Sequence, residues 1–281
     1  MKNVEEIQFW NAKPGEAWTR HQYSLDRLFG NVGSRLVDIA GPSSGMSVLE
    51  VGCGTGDLAL HLSERVGSSG HVDAIDVSEP MLDLARQRAA NASRTNINHI
   101  LADAQIYDFA CSQYDLVVSR FGVMFFDDPT AAFKNMLGSI KPKGRTVFAA
   151  WSSMADNPWF TIPRDAAIDR LGEPSPQPPM APGPTAFADL GYVSGILEQA
   201  GYAKVNTHIE EVMLDVLGNE RDAATLGCEI GPVSRIAKEK SASESDLAAI
   251  QDEVTNQFRQ YVSGSQVLVP AKINFVECLS G

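Results

Sequence analysis

The segment Glu50-Val51-Gly52-Cys53-Gly54-Thr55-Gly56 follows a short apolar run, Ser47-Val48-Leu49, and leads into a helical one from Asp57 to Val66. Chemistry is most easily placed at this joint. A tight turn out of a strand needs a positive φ, and a ligand lying on the backbone leaves no room for a Cβ, so glycine suits both demands. The N–H groups exposed at such a turn, with a helix dipole behind them, favour a negatively charged group such as phosphate or carboxylate. Gly54-x-Gly56-x-x-Ala59 also satisfies the dinucleotide fingerprint, and Asp76, twenty residues past Gly56, stands where that fingerprint has its ribose-binding acid.

Glycine spacing thus leaves two classes open, a nicotinamide or flavin oxidoreductase and a methyltransferase. Three features separate them. Glu50 sits at the strand end ahead of the glycines, where a carboxylate repels pyrophosphate and suits a cationic amino-acid moiety. Asp103-Ala104 supplies a second acid, placed to accept a hydrogen bond from an adenine amino group. The chain also finishes with two strand-like stretches, Val205–Val216 and Lys272–Leu279, which fit a closing antiparallel hairpin better than a second mononucleotide half.

The elements that must hold these residues follow from periodicity and punctuation. Leu25, Leu28, Phe29, Val32, Leu36 and Ile39 recur at helical spacing before Gly41-Pro42 stops the helix. Strands are expected at 47–51, 71–76, 98–101, 114–119 and 145–151, the last after a break at Lys141-Pro142-Lys143-Gly144. Helices are expected at 57–66, 78–92 and 130–140, with Ser78 as a cap. Strands alternating with helices at this pitch predict an α/β fold, a parallel, doubly wound sheet with helices on both faces. Six of the fifteen prolines fall in 172–184, so no regular structure is expected there. A helix at 192–200 precedes the strand 205–216, whose apolar phase slips and predicts a bulge near Glu210-Glu211. Residues 217–268 read as helical, with a stripe of Leu247, Ile250, Val254, Phe258 and Tyr261 and Ser245 as a cap.

Composition narrows the partners. Of 281 residues, 44% are hydrophobic and 21% charged, ordinary for a globular chain, and the formal charge is −12. Nucleic acid needs a basic surface, and no Lys/Arg cluster supplies one; an anionic membrane is disfavoured for the same reason. No run approaches the length of a membrane span, and the first residues carry Glu5 and Glu6 rather than an apolar leader. Cys53, Cys111, Cys228 and Cys278 form no Cys-x-x-Cys pair and the five histidines have no metal-ligand spacing, so a reducing, cytoplasmic setting and no metal are expected. The oligomeric state is not legible.

Taken in succession, Val48–Gly56, Asp76 with Ser78-Glu79-Pro80-Met81-Leu82, Ala102-Asp103-Ala104, Tyr114–Phe126 and Leu137–Trp151 resemble the motifs of class I, Rossmann-like S-adenosylmethionine-dependent methyltransferases. The resemblance is greatest to the small-molecule group that includes ubiquinone and menaquinone biosynthesis enzymes. It implies a seven-stranded, mostly parallel sheet with an antiparallel last strand. It also implies S-adenosylmethionine as cofactor. Gly52, Cys53, Gly54 and Gly56 would cradle its methionine portion, with Glu50 at the ammonium end and Asp76 on the ribose hydroxyls. Val77 and Met81 would flank the adenine, Asp103 and Ala104 would reach its edge, and Ser119 and Phe121 would stand at the fourth strand's end. Trp10 and Trp18 would close over the cofactor from an N-terminal arm.

Other readings accompany these. Cys53 is read as a space-filler rather than a nucleophile, Arg120 as a structural ion-pairing residue, and His21 as a weak candidate for a general base, needed only if the acceptor brings a proton. Trp159, Phe160, Met180 and Phe187 in the expected lid favour an apolar or aromatic small-molecule acceptor. Asn157-Pro158-Trp159-Phe160 resembles the Asn-Pro-Pro-Tyr signature of base-methylating enzymes, but it follows the fifth strand rather than the fourth, which counts against a nucleic-acid substrate. The expected organisation is an arm (1–40), a cofactor-binding half (41–151), a proline-rich lid (152–188), a continuation of the core (189–216), a helical insertion (217–268) and a last strand (269–281). An NAD(P)-dependent oxidoreductase remains an alternative, as does a SAM-binding protein with altered chemistry, a cyclase or regulator.

Overall fold

Eight strands and eleven α-helices are present in a computed structural model that describes residues 3–176, 178 and 180–281. Three helices open the chain: α1 (Val4–Trp10), α2 (Lys13–Arg20) and α3 (Gln22–Ala40). The alternating unit follows: β1 (Ser47–Val51), α4 (Asp57–Val66), β2 (His71–Asp76), α5 (Glu79–Asn91), β3 (Ile97–Leu101), β4 (Tyr114–Arg120), α6 (Pro129–Ser139) and β5 (Ile140–Trp151). Then come α7 (Pro158–Leu171), α8 (Leu190–Ala200), β6 (Ala203–Val216), α9 (Glu220–Ile230), α10 (Val233–Lys240), α11 (Glu244–Phe258), β7 (Val262–Ser263) and β8 (Gln266–Leu279).

The sheet order is β3-β2-β1-β4-β5-β8-β6, with the two-residue β7 pairing to β8. Strands β1 to β5 are parallel, and β8 runs antiparallel to both β5 and β6. Covered on both faces, the central strands are apolar almost throughout: Val48, Leu49 and Val51 on β1, Leu116 to Val118 on β4 and Val147 to Ala150 on β5 are all buried. The order reverses between β1 and β4, and a crevice opens beyond the carboxyl ends of strands at such a switch.

Helix α3 buries Leu25, Leu28, Phe29, Val32 and Leu36, the stripe its periodicity predicts. Its outer face lies along the edge strand β6. Arg35 Nε donates to Glu210 Oε2 at 2.7 Å, Asn31 Nδ2 to the Met213 carbonyl at 2.8 Å, and Arg27 pairs with Asp215 at 3.1 Å. Polar cover of this kind blunts an otherwise open sheet edge.

Several expectations are corrected. The pairing of β6 with β8 is continuous from Asn206 to Val216, so there is no bulge at Glu210-Glu211; the irregularity lies between Ala203 and Asn206. The apolar phase changes because burial changes along the strand: Val212, Leu214 and Val216 are buried, whereas Ile209 is exposed. The break at Lys141–Gly144 lies within β5, which starts at Ile140 and absorbs the irregularity as a register shift opposite Tyr114 and Leu116.

Within 152–188, expected to form a lid with no regular structure at 172–184, α7 is a full helix ahead of the proline-rich stretch. Pro158 occupies its first turn, where a missing N–H costs nothing, and the inner Pro163 is buried. This helix packs on α9, α10, α11 and β8. The described residues of 172–184 contain neither helix nor strand; Gln177 and Pro179 lie outside the described residues. The helical stretch after 217 ends by Tyr261, and β8 begins at Gln266 rather than Lys272. Ser243, not Ser245, caps α11 through a capping box with Asp246, and Leu247 is exposed while Ile250, Val254 and Phe258 are buried.

Candidate active site

The crevice is built around the turn out of β1. Gly52 N and Cys53 N donate to the Ile75 carbonyl at 2.9 and 3.2 Å, tying the turn to β2. Gly52 has φ +72°, and a Cβ on it would stand 2.6 Å from Gly122 Cα, so this position lets the β1 turn and the turn after β4 touch backbone to backbone. Gly54 also has positive φ (+52°), but a Cβ there would meet nothing closer than Met81 Sδ at 3.8 Å. Gly54, then, is where the turn has room beside its backbone. The Cys53 thiol is buried and burial pushes its titration upward, so it fills space and is not a thiolate nucleophile.

Two acids flank the turn. Asp76 ends β2 with 8% of its surface exposed; its Oδ2 accepts from Gly54 N at 2.7 Å and its Oδ1 from Ser78 N at 2.8 Å. Burial raises its pKa, and the backbone N–H donors of Ser78, Gly54 and Val77 pull it back down. Each oxygen keeps a further lone pair, so the carboxylate can take two ribose hydroxyls while holding the turn. Glu50 is the penultimate residue of β1, is 2% exposed, and its Oε2 has no hydrogen-bond partner among the described residues. An orphaned buried carboxylate oxygen calls for a donor. Open backbone at Gly54, an unpartnered acid and a half-used acid fit the ribose and ammonium of an adenosyl amino acid.

Behind the turn lies a charge network. Arg120, at the end of β4, donates from Nη1 to Asp57 Oδ2 at 2.8 Å and to the Phe29 carbonyl at 3.3 Å. Arg88 reaches Asp26 at 2.5 Å and the Thr55 carbonyl at 2.7 Å, which binds α5 and α3 to the glycine turn. These pairs are only slightly exposed and carry the ion-pairing role expected of Arg120.

The other expected site residues lie on α5 or just before it, after β3 and at the end of β4. Met81 is buried below Gly54, and Val77 meets the arm through its carbonyl. Asp103 is buried; its Oδ1 accepts from Gln105 N at 2.9 Å and its Oδ2 from Asn3 N at 3.3 Å, with buried Ala104 next to it. Ser119 Oγ donates to the Val51 carbonyl at 2.8 Å and accepts from Gly122 N and Val123 N at 3.2 Å, so its hydroxyl braces the β4 turn against β1. Phe121 adopts a left-handed backbone (φ +68°), unusual for a bulky residue, and its ring stacks on Trp151 with centroids 4.7 Å apart.

Sequence reasoning missed the residues that clasp the arm over the crevice. Asn3 donates from Nδ2 to the Phe125 carbonyl at 2.9 Å and accepts at Oδ1 from Asp127 N at 3.0 Å. Asn11 donates to the Val77 carbonyl at 2.8 Å and accepts from Glu79 N at 3.0 Å, while Ser78 Oγ donates to the Trp10 carbonyl at 2.8 Å. Asparagine side chains mimic backbone partners, but no local spacing announces partners more than sixty residues away. Trp10 packs edge-on against Trp18 and Phe125, and Trp18 leads through Phe29 to Phe121, a row of rings from the arm to β5.

His21 stands at the α2–α3 junction with Nε2 2.8 Å from Glu229 Oε2 on α9, and Arg20 reaches the same oxygen at 2.7 Å. Asn157 is fully buried; its Nδ2 donates to the Ser153 carbonyl at 2.8 Å and its Oδ1 accepts from Lys272 N at 2.9 Å, so it fastens α7 to β8. Trp159, Phe160 and Phe187 are core residues, and only Met180 of the expected apolar lid is exposed. Among the described residues no group of three or more His, Cys, Asp or Glu could hold a metal, and no helix is long and apolar enough to cross a membrane.

Comparison with known proteins agrees with this geometry. Residues 48–144 match the family model described as a methyltransferase domain. Aklanonic acid methyltransferase of Streptomyces sp. (strain C5) is 33% identical over 139 residues, 48% of this chain and 63% of that protein. The ubiquinone/menaquinone biosynthesis C-methyltransferase of Idiomarina loihiensis is 32% identical over 117 residues, 41% of this chain and 47% of that protein. The chain thus spans about half to two thirds of the length of these relatives. In fold it is similar to a SAM-dependent methyltransferase from Aquifex aeolicus, with TM-score 0.53, 22% identity, and coverage of 71% of this chain and 92% of that one. Residues 48–144 are thus similar to a methyltransferase domain, and the fold around them is a mostly parallel α/β sheet with its last strands antiparallel.

Proposed function

We propose that this protein transfers a methyl group from S-adenosylmethionine to a small-molecule acceptor. The observation that carries the reading is the pairing of Glu50 and Asp76, two buried acids on either side of a backbone left bare at Gly54. Asp76 holds the ribose hydroxyls, and Glu50 the ammonium. Gly52, Cys53, Gly54 and Gly56 shape the cradle, Val77 and Met81 flank the adenine, and Asp103 and Ala104 stand at its edge. Ser119 and Phe121 form the β4 wall, and Trp18 belongs to the cover.

When bound, the sulfonium supplies a methyl group to in-line displacement, a reaction that asks the protein mainly for orientation and exclusion of water. The arm supports both, because Asn3 and Asn11 tie it to the two loops bordering the crevice. The ring row of Trp18, Phe29, Phe121 and Trp151 supports an apolar or aromatic acceptor, in keeping with relatives named for aklanonic acid and for ubiquinone/menaquinone biosynthesis. His21, oriented by Glu229, is the arm residue available to take a proton where an acceptor brings one. The charge of −12 disfavours a nucleic-acid partner, and four free cysteines suit a reducing cytoplasm.

Tryptophan fluorescence or calorimetry comparing S-adenosylhomocysteine with NAD(H), followed by transfer of labelled methyl into a metabolite extract, tests the reading. Selective binding of S-adenosylhomocysteine and a labelled small product are expected. Preference for NAD(H) would overturn it, and tight S-adenosylhomocysteine binding with no labelled product would favour altered chemistry.

A further inference from the structure

The unpartnered oxygen of Glu50 has a consequence for how a ligand enters. Three charged groups influence this carboxyl, Arg120 from β4, Asp57 from the first turn of α4 and Asp76 from the end of β2, and the buried Cys53 thiol is influenced in turn by Asp76 and Glu50. Arg120 is already committed to Asp57 at 2.8 Å. With Glu50 ionised, a further carboxylate would join Asp57 and Asp76 in a place closed to water, one of its oxygens lacking any donor, while Arg120 is held by Asp57 and Arg88 by Asp26 and Asp57. A buried charge in that position is unfavourable, and the group keeps its proton instead. Burial, the largest influence, with Asp57 and Asp76, outweighs the opposing pull of Arg120 and pushes the Glu50 carboxyl up to about 8.

We propose that Glu50 couples ligand binding to proton release: its carboxyl is protonated in the ligand-free protein at neutral pH and ionises as the ammonium of the methyl donor arrives. The inference rests on the methyl-donor reading given above. The balance is simple. The Glu50 O–H bond breaks, its proton passes to solvent, and the ligand's ammonium keeps all its protons while donating to the carboxylate formed. On the order of one proton leaves per ligand bound. Apparent affinity therefore falls as pH falls below the free-protein titration, approaching tenfold per pH unit, and levels off above it.

The test is calorimetric titration of S-adenosylhomocysteine into the full chain at about pH 6.5, where the ligand's ammonium is intact, in two buffers of different ionisation enthalpy. Enthalpies differing by about one buffer protonation, and a Kd weakening roughly five- to tenfold between about pH 7.5 and 6.5, are expected. Glu50→Gln, which has no proton to lose, should bind more weakly with no buffer difference and no pH slope. Should that variant fail to fold, the infrared carbonyl band of a protonated carboxyl in the unaltered protein serves instead, and it should disappear on binding. Equal enthalpies in both buffers with a flat Kd would overturn the coupling and leave the methyl-donor reading intact. No binding of S-adenosylhomocysteine by the folded protein would overturn both.

Discussion

Asp76 Oδ2 accepts the Gly54 N–H at 2.7 Å, so the acid assigned to the ribose also holds the turn that receives the rest of the ligand. Binding and loop shape are therefore linked through one side chain. Asp76→Ala removes both the ribose contacts and the brace, and S-adenosylhomocysteine affinity should drop by about 1.5–3 kcal/mol, the range for hydrogen bonds to a charged group. Calorimetry reads this directly; an unchanged Kd would sink the ribose assignment.

Substituting the two glycines should separate folding from binding. Gly52→Ala sets a Cβ 2.6 Å from Gly122 Cα at a positive φ, and a loss of about 2–4 kcal/mol in denaturant unfolding is expected from strain and overpacking together. Gly54→Ala meets no backbone, so stability should fall by only about 1 kcal/mol while ligand affinity falls further. Equal stability losses in the two variants would contradict the distinction.

The protonated Glu50 also predicts a pH dependence of stability. Its folded pKa, about 8, lies above the ordinary value of 4.5, so the folded chain binds more protons between these limits. Stability from this group is fully present below about pH 4.5 and lost as pH rises through 8, at up to roughly 1.4 kcal/mol per unit. Glu50→Gln lacks that slope. Denaturant midpoints measured from about pH 5 to pH 8 should therefore rise for the variant relative to the unaltered protein. Parallel curves would show that Glu50 is ionised in both states.

Asn11 joins the arm to the Val77 carbonyl and the Glu79 N–H, on the rim where the adenine is expected. Asn11→Ala should loosen the arm at little cost to the sheet. Ligand release followed by stopped-flow fluorescence of Trp10 and Trp18 should accelerate roughly three- to tenfold, the equivalent of about 1 kcal/mol. Hydrogen exchange should quicken over α1 and α2. Release at the original rate would mean that the arm is not a barrier to exit.

Much of this is legible in the amino-acid sequence, for a physical reason. The glycine turn, Glu50 and Asp76 are set by the pitch of one βαβ unit, so their spatial relationship is encoded in short spacing. The same holds for the buried stripe of α3. What escaped depends on distant partners. Asn3 and Asn11 take their meaning from Asp127 and Val77, across the crevice. Helix α7 was hidden by Pro158 and Pro163, tolerated because one lies in the first turn and the other is enclosed by packing. The phase slip in β6 reflected uneven cover rather than a bulge, a distinction that alternation by itself does not make.

Strand β8 lies between β5 and β6, yet it is the last of the strands along the chain. Arg145 pairs with Leu279, and Val216 with Val267 across α9, α10 and α11. During synthesis β5 must wait, its hydrogen-bonding side open, until more than a hundred further residues have emerged. Loss of β8 would leave two raw flanks rather than one, so a C-terminal nick in this region should produce a sticky, aggregating polypeptide instead of a trimmed enzyme.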